Sequence, residues 1–454
     1  MNAPRTPVNI VGGGLAGTLL ALVLARHGFH VELYERRADP RRKAGERGRS
    51  INLALAARGL RGLAVAGVAD RIAPLAIPMR GRCIHEHDGT GALHPYGQDE
   101  SEVIYSVARA ALGRALIDAA GAEPRIALHF DMTCVGVDLA RDALLFGDDR
   151  KVRRRAPLAP TIAADGAGSV VRAALAAAGA VRVREETLAH DYRELTIPAT
   201  HARGLDPHAL HIWPRGGYML IALPNTDGSF TATLFLAREG TPSFAGLGDA
   251  AAIESFFRHE FPGALPRLPD LVREFRDHPQ GRLGTVYSDP WHLGGKLLLL
   301  GDAAHAIVPF HGQGMNCAFE DVAVFDALLA QHTDFTALFA AFTRLRRPDT
   351  DAIAQMALEN YLEMRATVLD PVYRRRKVLG AALERAFPDR FIPRYSMVMF
   401  HPEIGYAEAL RRGAVQEEIL AMLDTAAGTD PAPGVPARAR ALIEARLPRI
   451  GARA

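Results

Sequence analysis

Gly12, Gly14 and Gly17 spell G-x-G-x-x-G between an apolar stretch that begins at Val8 and a run rich in Ala and Leu. At that spacing the first glycine permits a tight turn, the second lets a pyrophosphate approach the backbone, and the third lets a helix pack closely on a strand. The helix start then offers unpaired N–H groups and the positive end of its dipole to an anion, with no basic side chain required. Eighteen residues beyond Gly17, at the end of the next apolar stretch, Glu35 is placed to accept hydrogen bonds from a ribose hydroxyl. An acidic residue there disfavours a 2′-phosphate, so the site is expected to hold FAD or NAD rather than NADP. A lone glycine turn is usually only a turn, but here strand, helix and acid agree.

A second glycine-marked segment separates the two dinucleotides. Residues 299–305, LLGDAAH, place Asp302 after an apolar strand and a glycine, where its carboxylate suits another sugar or ribityl hydroxyl. The loop that follows, PFHGQGMN at 309–316, carries Gly312 and Gly314 ahead of a helix expected to begin near Met315 and Asn316. Backbone donors at that helix start would stabilise the negative charge an isoalloxazine ring gathers on reduction. Two glycine-marked helix starts in one nucleotide fold suit a ligand with two anionic regions, which favours FAD.

The elements needed to position these loops follow from patterning. The first block, from Val8 to Glu35, reads as a βαβ unit. Two short apolar stretches from Met79 to Pro95 flank the turn Asp88-Gly89-Thr90-Gly91 and predict a hairpin. YSVARAALGRALIDAA, from residue 105, reads as a strand end running into a helix, and β-like segments with a charged tip at Asp148–Arg155 fill His129 to Gly166. Tyr192 to Leu236 alternates as a second sheet, and the segment holding Asp302 and Gly312 returns to the nucleotide fold. From Thr350 the pattern is helical as far as the Pro- and Gly-rich stretch Gly428–Pro436. The expected class is α/β: a Rossmann-like domain over 1–75, 101–180 and 286–347, interleaved with a sheet domain for substrate over 76–100 and 181–285. A helical domain over 348–454 completes it.

At 454 residues the chain is too long for one simple core. Its 48% apolar and 23% charged residues are those of an ordinary globular protein, and a net charge of +3 spread among mixed signs argues against nucleic acid as a partner. Cys83, Cys134 and Cys317 are scattered and odd in number, which fits a reducing cytoplasm and neither a disulfide framework nor a cysteine-based metal site. His85 and His87 flank Glu86 and, lacking further ligands, are expected at the surface. Neither an export signal nor an uncharged run long enough to cross a bilayer is visible.

The glycine motif, Asp165-Gly166 after a strand, and Gly301-Asp302 before the second loop are together similar to the single-component FAD aromatic hydroxylases. The resemblance narrows to the kynurenine 3-monooxygenase family through GRSINLALAARGL at 48–60, YSVAR at 105–109, YRELTIP at 192–198, HIWPRGGYMLIALPNTDGSFTATLFL at 211–236, GDAAHAIVPFHGQGMN at 301–316 and NYLEMR at 360–365. It implies hydroxylation of L-kynurenine beside its amino group, with NADPH and O2, through a C4a-hydroperoxyflavin, in a soluble, bacterial-type form without the C-terminal membrane anchor of eukaryotic members.

By the same resemblance, Arg82 and Tyr96 bind the amino-acid carboxylate, Asn360 and Tyr395 close over that end, and Phe235, Phe310, His311 and Met364 line the apolar ring pocket. Arg109 contacts the FAD. The family's Gly-Ala-Asp-Gly reads Ala163-Ala164-Asp165-Gly166, a change that is costly if the position needs a positive φ. Two other readings stay open: a related hydroxylase acting on another aromatic acid, and a carrier protein that keeps the fold without catalysis.

Overall fold

A computed structural model of the chain describes residues 7–42, 52–148, 151–367, 370–424 and 438–451. The Gly428–Pro436 stretch, residues 48–51 of the GRSINLALAARGL block and residues 149 and 150 of the charged tip lie outside them. The chain divides into two compact units. The first comprises Met1–Ile77, Tyr105–Leu188 and Arg282–Asp351, and the second Pro78–Ile104, Ala189–Gly281 and Ala352–Ala454. Pro348, at the point where a separate helical domain is expected to begin, lies inside one continuous helix, Phe335–Arg365.

The first unit is the α/β part. Its six-stranded sheet runs His292–Leu293, Leu297–Leu299, Thr161–Ala163, Val8–Val11, Val31–Tyr34, Ile126–His129, parallel except at the His292 edge. All four residues of Val8–Val11 and all three of Leu297–Leu299 are buried, as strands covered on both faces must be. Helix Leu15–Arg26 connects the parallel strands Val8–Val11 and Val31–Tyr34, and every residue from Gly17 to Ala25 is buried, so it is packed on more than one side. Thr161–Ala163 and Leu297–Leu299 extend the same sheet from far along the chain, which interleaves the unit as its sequence pattern implied.

A seven-stranded sheet is ordered Gly281–Asp289, Arg182–Ile197, Phe230–Ala237, Met219–Pro224, Ala209–Pro214, Gly81–His85, Gly91–Pro95, and the second unit is built on it from Ala189 of the second of these strands onward. The expected hairpin is there, as Gly81–His85 paired with Gly91–Pro95 across a turn in which Thr90 N–H donates to Asp88 Oδ1. What the sequence did not show is that Gly81–His85 also pairs, in parallel, with Ala209–Pro214. Helices Ala250–Glu260 and Leu271–Asp277 contribute Phe256, Phe257 and Phe275 to a core with Trp213, Phe230 and Leu234 of the sheet. The later helices have a core of their own around Leu383, Phe387, Ile419, Leu423 and Ile443. Among the described residues no helix is long and apolar enough to cross a membrane.

Candidate functional site

The first unit holds the glycine turn expected to cradle a dinucleotide, and its three glycines are there for different reasons. Gly12 has φ +108°, and a Cβ on it would lie 2.4 Å from the Ala164 carbonyl oxygen. A Cβ on Gly17 would lie 2.0 Å from the Gly12 carbonyl oxygen, so the helix could not pack on the turn. Around Gly14 a Cβ would meet nothing within 4 Å. Protein packing therefore demands glycine at the first and third positions, while the second faces open space where a ligand backbone would come close. Gly14 also caps helix Leu15–Arg26 with no side-chain hydrogen bond, which leaves the first-turn N–H groups to an anion.

Glu35 follows strand Val31–Tyr34 and is nearly buried. Its Oε2 accepts from Gly13 N–H at 2.9 Å and its Oε1 from Arg37 N–H at 2.9 Å. The carboxylate thus ties down the glycine turn, and each oxygen keeps a lone pair for a ribose hydroxyl. Asp165, just beyond strand Thr161–Ala163, accepts from Val170 and Val171 N–H through Oδ2, while Oδ1 is buried with no hydrogen-bond partner. Burial pushes its pKa up, more than the hydrogen bonds from the Ser169 side chain and these N–H groups pull it down. A buried, unpaired acceptor of this kind is stabilised by a sugar or ribityl hydroxyl, which FAD carries. The residues present fit that group.

The second loop is braced from within. Gly301, at φ +61°, donates its N–H to Asp321 Oδ2 at 3.1 Å. His305 Nε2 lies 2.7 Å from the same oxygen, and Arg346 Nε donates to Oδ1 at 2.8 Å. Asp302 itself is exposed. Helix Gly314–Leu329 starts one residue before the expected Met315, after Gly312 in the left-handed region at φ +66°. Asn316 is fully buried: its Nδ2 donates to the carbonyls of Ala54 and Gly312, and its Oδ1 accepts from Ala56 N–H. Its contacts hold the loop to strand Asn52–Leu55. Arg109 begins helix Arg109–Gly121 with its side chain exposed. Phe310 and His311 are both buried in the 3₁₀ turn Pro309–His311.

One condition attached to an expected residue is resolved, and one expected position is corrected. Ala163 sits in a regular parallel strand, paired with Val11 and Leu299, and takes no positive φ; the left-handed position is Gly166, at φ +86°. The alanine therefore introduces no backbone strain. His85 is not a surface residue like the exposed His87. It is half-buried, stacked on Trp213 at 4.3 Å, with Nε2 2.8 Å from His211 Nδ1.

The second unit gathers a different kind of site. Arg82 lies on strand Gly81–His85 and is 7% exposed, its guanidinium 4.5 Å from the centre of the Tyr395 ring and 5.6 Å from that of Tyr96. The two tyrosine rings stack 5.7 Å apart. Glu363 Oε1 is 3.7 Å from Arg82 and accepts from Tyr373 OH at 2.6 Å. Burial pulls the Arg82 pKa down, but the Tyr395 and Tyr96 phenols, Glu363 and Tyr373 outweigh it and hold the group above its ordinary value. Burial raises the pKa of both Tyr96 and Tyr395, which keeps them protonated donors. Arg82 Nε and Tyr96 OH are buried with no hydrogen-bond partner, two donors prepared for a carboxylate.

On helix Phe335–Arg365 the buried Asn360 donates to Met364 Sδ at 3.2 Å, and Phe235 is buried on strand Phe230–Ala237. Three groups were missed in the sequence. Glu363 lies three residues after Asn360 and beside Met364, a spacing that shares one helix face and so was readable. Tyr373 and Asp321 gave no local signal.

These geometries define a class, a flavin-binding α/β fold with a separate cationic and phenolic cluster. A family model described as FAD binding domain matches residues 5–235 and 265–356. A kynurenine 3-monooxygenase of Xanthomonas oryzae pv. oryzae is 47% identical over 421 residues, 92% of each chain, and one of Stenotrophomonas maltophilia is 46% identical over the same share. The chain belongs to the kynurenine 3-monooxygenase family. Among solved structures, p-nitrophenol 4-monooxygenase from Pseudomonas putida DLL-E4 superposes with a TM-score of 0.65 at 18% identity, covering 93% of this chain and 98% of that one. A mutant 2-methyl-3-hydroxypyridine-5-carboxylic acid oxygenase gives 0.65 at 18% identity, covering 80% and 94%. These two likenesses concern the fold alone.

Proposed function

We infer that this chain is an NADPH-dependent flavoprotein monooxygenase that converts L-kynurenine and O2 to 3-hydroxykynurenine. The observation that carries the reading is the 47% identity to kynurenine 3-monooxygenase along 92% of both chains. When bound, FAD would supply the redox chemistry, passing two electrons from NADPH to O2 so that one oxygen atom enters the ring and the other leaves as water.

What the protein contributes is position and charge. Gly12, Gly14 and Gly17 with Glu35, Asp165, Asp302 and Arg109 hold the dinucleotide. Gly312, Gly314, Met315 and Asn316 shape the loop whose helix start stabilises charge on the reduced ring. Arg82 and Tyr96 hold the amino-acid carboxylate, supported by Tyr395 and Asn360, and a charge-assisted contact of this kind fixes the far end of the substrate so that the aniline ring is presented in one orientation. Phe235, Met364, Phe310 and His311 supply apolar surface that excludes water from the ring. The three free cysteines, Cys83, Cys134 and Cys317, support a cytoplasmic location.

The test is NADPH consumption by FAD-loaded protein in air, with and without L-kynurenine, with mass analysis of the product. Faster oxidation and a product heavier by one oxygen are expected. Unchanged oxidation with no oxygenated product would remove L-kynurenine as the substrate, and a colourless protein that takes up no FAD would leave the carrier reading.

A further inference from the structure

We propose that Cys83, His85 and His211 form a binding site for a borderline transition-metal cation, Zn²⁺ in the first instance, through one sulfur and two imidazole nitrogens. Their three ligand atoms lie within 4.8 Å of one another. Backbone register puts them there: Cys83 and His211 are direct partners across the parallel strands Gly81–His85 and Ala209–Pro214, and His85 stands two residues on from Cys83 on the same face. Alternation sends Arg82 to the opposite face, so the cluster is distinct from the carboxylate-binding group.

His211 is prepared for a metal. His211 is 1% exposed, and its Nε2 lies 3.0 Å from the Asp206 carbonyl oxygen. A carbonyl only accepts, so Nε2 carries the proton and Nδ1 presents its lone pair to the cluster, the arrangement that orients metal-bound histidines. The cations that act on His85 are Arg267 and Arg215. Metal binding by Cys83 releases its thiol proton, and the thiolate then offsets the cation. The two arginines are already engaged: Arg267 with the carbonyls of His201 and Arg203, Arg215 with those of Glu260 and Pro214.

The two imidazole nitrogens are now 2.8 Å apart, and since His211 Nδ1 is the acceptor, His85 Nε2 is the donor, so metal binding also requires His85 to move that proton to its Nδ1. Tetrahedral Zn²⁺ with bonds of ~2.0–2.1 Å needs ~3.4 Å between ligand nitrogens, so His85 must slide by about half an ångström along the Trp213 face. Three protein ligands leave a fourth position for water, the pattern of an exchangeable site rather than a closed structural one. The other grouping of this kind among the described residues, His305, Cys317 and Asp321, differs: Arg346 lies 3.5 Å from Cys317 Sγ and bonds Asp321, so a cation is already in place.

The experiment is titration of chelator-treated, desalted FAD holoenzyme with ZnCl2 against a chromogenic chelator, followed by zinc-edge X-ray absorption of the loaded protein. One Zn²⁺ per chain is expected, with one sulfur at ~2.3 Å and nitrogen or oxygen ligands at ~2.0 Å. Cys83→Ser, at a half-buried position, and His85→Gln are each expected to weaken binding at least about tenfold, while Cys134→Ser leaves it unchanged. Absence of stoichiometric uptake, a shell without sulfur, or uptake that survives both Cys83→Ser and His85→Gln would overturn the site.

Discussion

In the first unit the groups proposed to face the dinucleotide are peptide N–H donors held by glycines and tied down by Glu35, whereas in the second the proposed donors are side chains, Arg82 and Tyr96, collected from a hairpin and ringed by later helices. A backbone site tolerates changes of side-chain chemistry and fails on added volume. A side-chain site behaves in reverse: it has room to lose atoms but loses its function with a single charged group. The two should therefore break separately.

The largest effect is expected from Gly17→Val, whose Cβ would sit 2.0 Å from a backbone oxygen. Flavin content of the purified protein should fall to near zero. Gly14→Ala adds a Cβ in open space, so the protein should fold normally and lose only affinity for FAD, by roughly tenfold or about 1.4 kcal/mol. Equal loss of fold in both variants would show that Gly14 is a packing glycine after all.

Backbone sites also need braces, and Asp321 supplies one. Asp321→Asn breaks a buried pair with Arg346 and His305 and is expected to lower stability by about 3–5 kcal/mol. The neighbouring charges set the pH window. Burial alone would raise the Asp321 pKa, but His305 and Arg346 hold it below the ordinary carboxylate value, so its contribution is present above pH ~3.9 and fades as pH falls through the lowered pKa. Burial lowers the His305 pKa, yet Asp321 and Cys317 hold it well above the ordinary value. Its contribution is therefore full below pH ~6.5 and fades as pH rises through the raised pKa. Melting of FAD-saturated protein should show the wild type and Asp321→Asn furthest apart between pH ~4 and ~6.5. A gap that does not vary with pH would remove the ionic account.

Arg82→Met is the complementary break. Losing a charge-assisted carboxylate contact is expected to raise the L-kynurenine KM about 100-fold, or about 2.7 kcal/mol, with the flavin spectrum unchanged. A loss of flavin here would mean that the two sites are not energetically separate.

Legibility followed the same divide. Gly12, Gly14, Gly17 and Glu35 were readable because a backbone cradle fixes spacing along the chain, and strand and helix periodicity confirmed it. Arg82, Tyr96, Asn360 and Tyr395 are brought near one another only by folding, and no spacing announces them; they came from resemblance. The His85–His211 contact went unseen for a related reason, since strands Gly81–His85 and Ala209–Pro214 pair in parallel across more than a hundred residues. Asp321 was illegible because a buried carboxylate inside an apolar helix reads in sequence as one polar residue among its neighbours.

The smallest expected effect tests where the first site ends. If Ala163 were part of the cradle, restoring the family glycine would tighten FAD binding. Ala163 instead lies in the middle strand of three, 0% exposed, with ordinary extended backbone. Ala163→Gly should leave FAD affinity within about twofold and lower stability by about 0.5–1 kcal/mol through the entropy of the unfolded chain. The cradle's demand for glycine would then begin at Gly166, the residue of that segment with a positive φ. A clear gain in FAD affinity would extend it back into the strand, and make the backbone site larger than its turns.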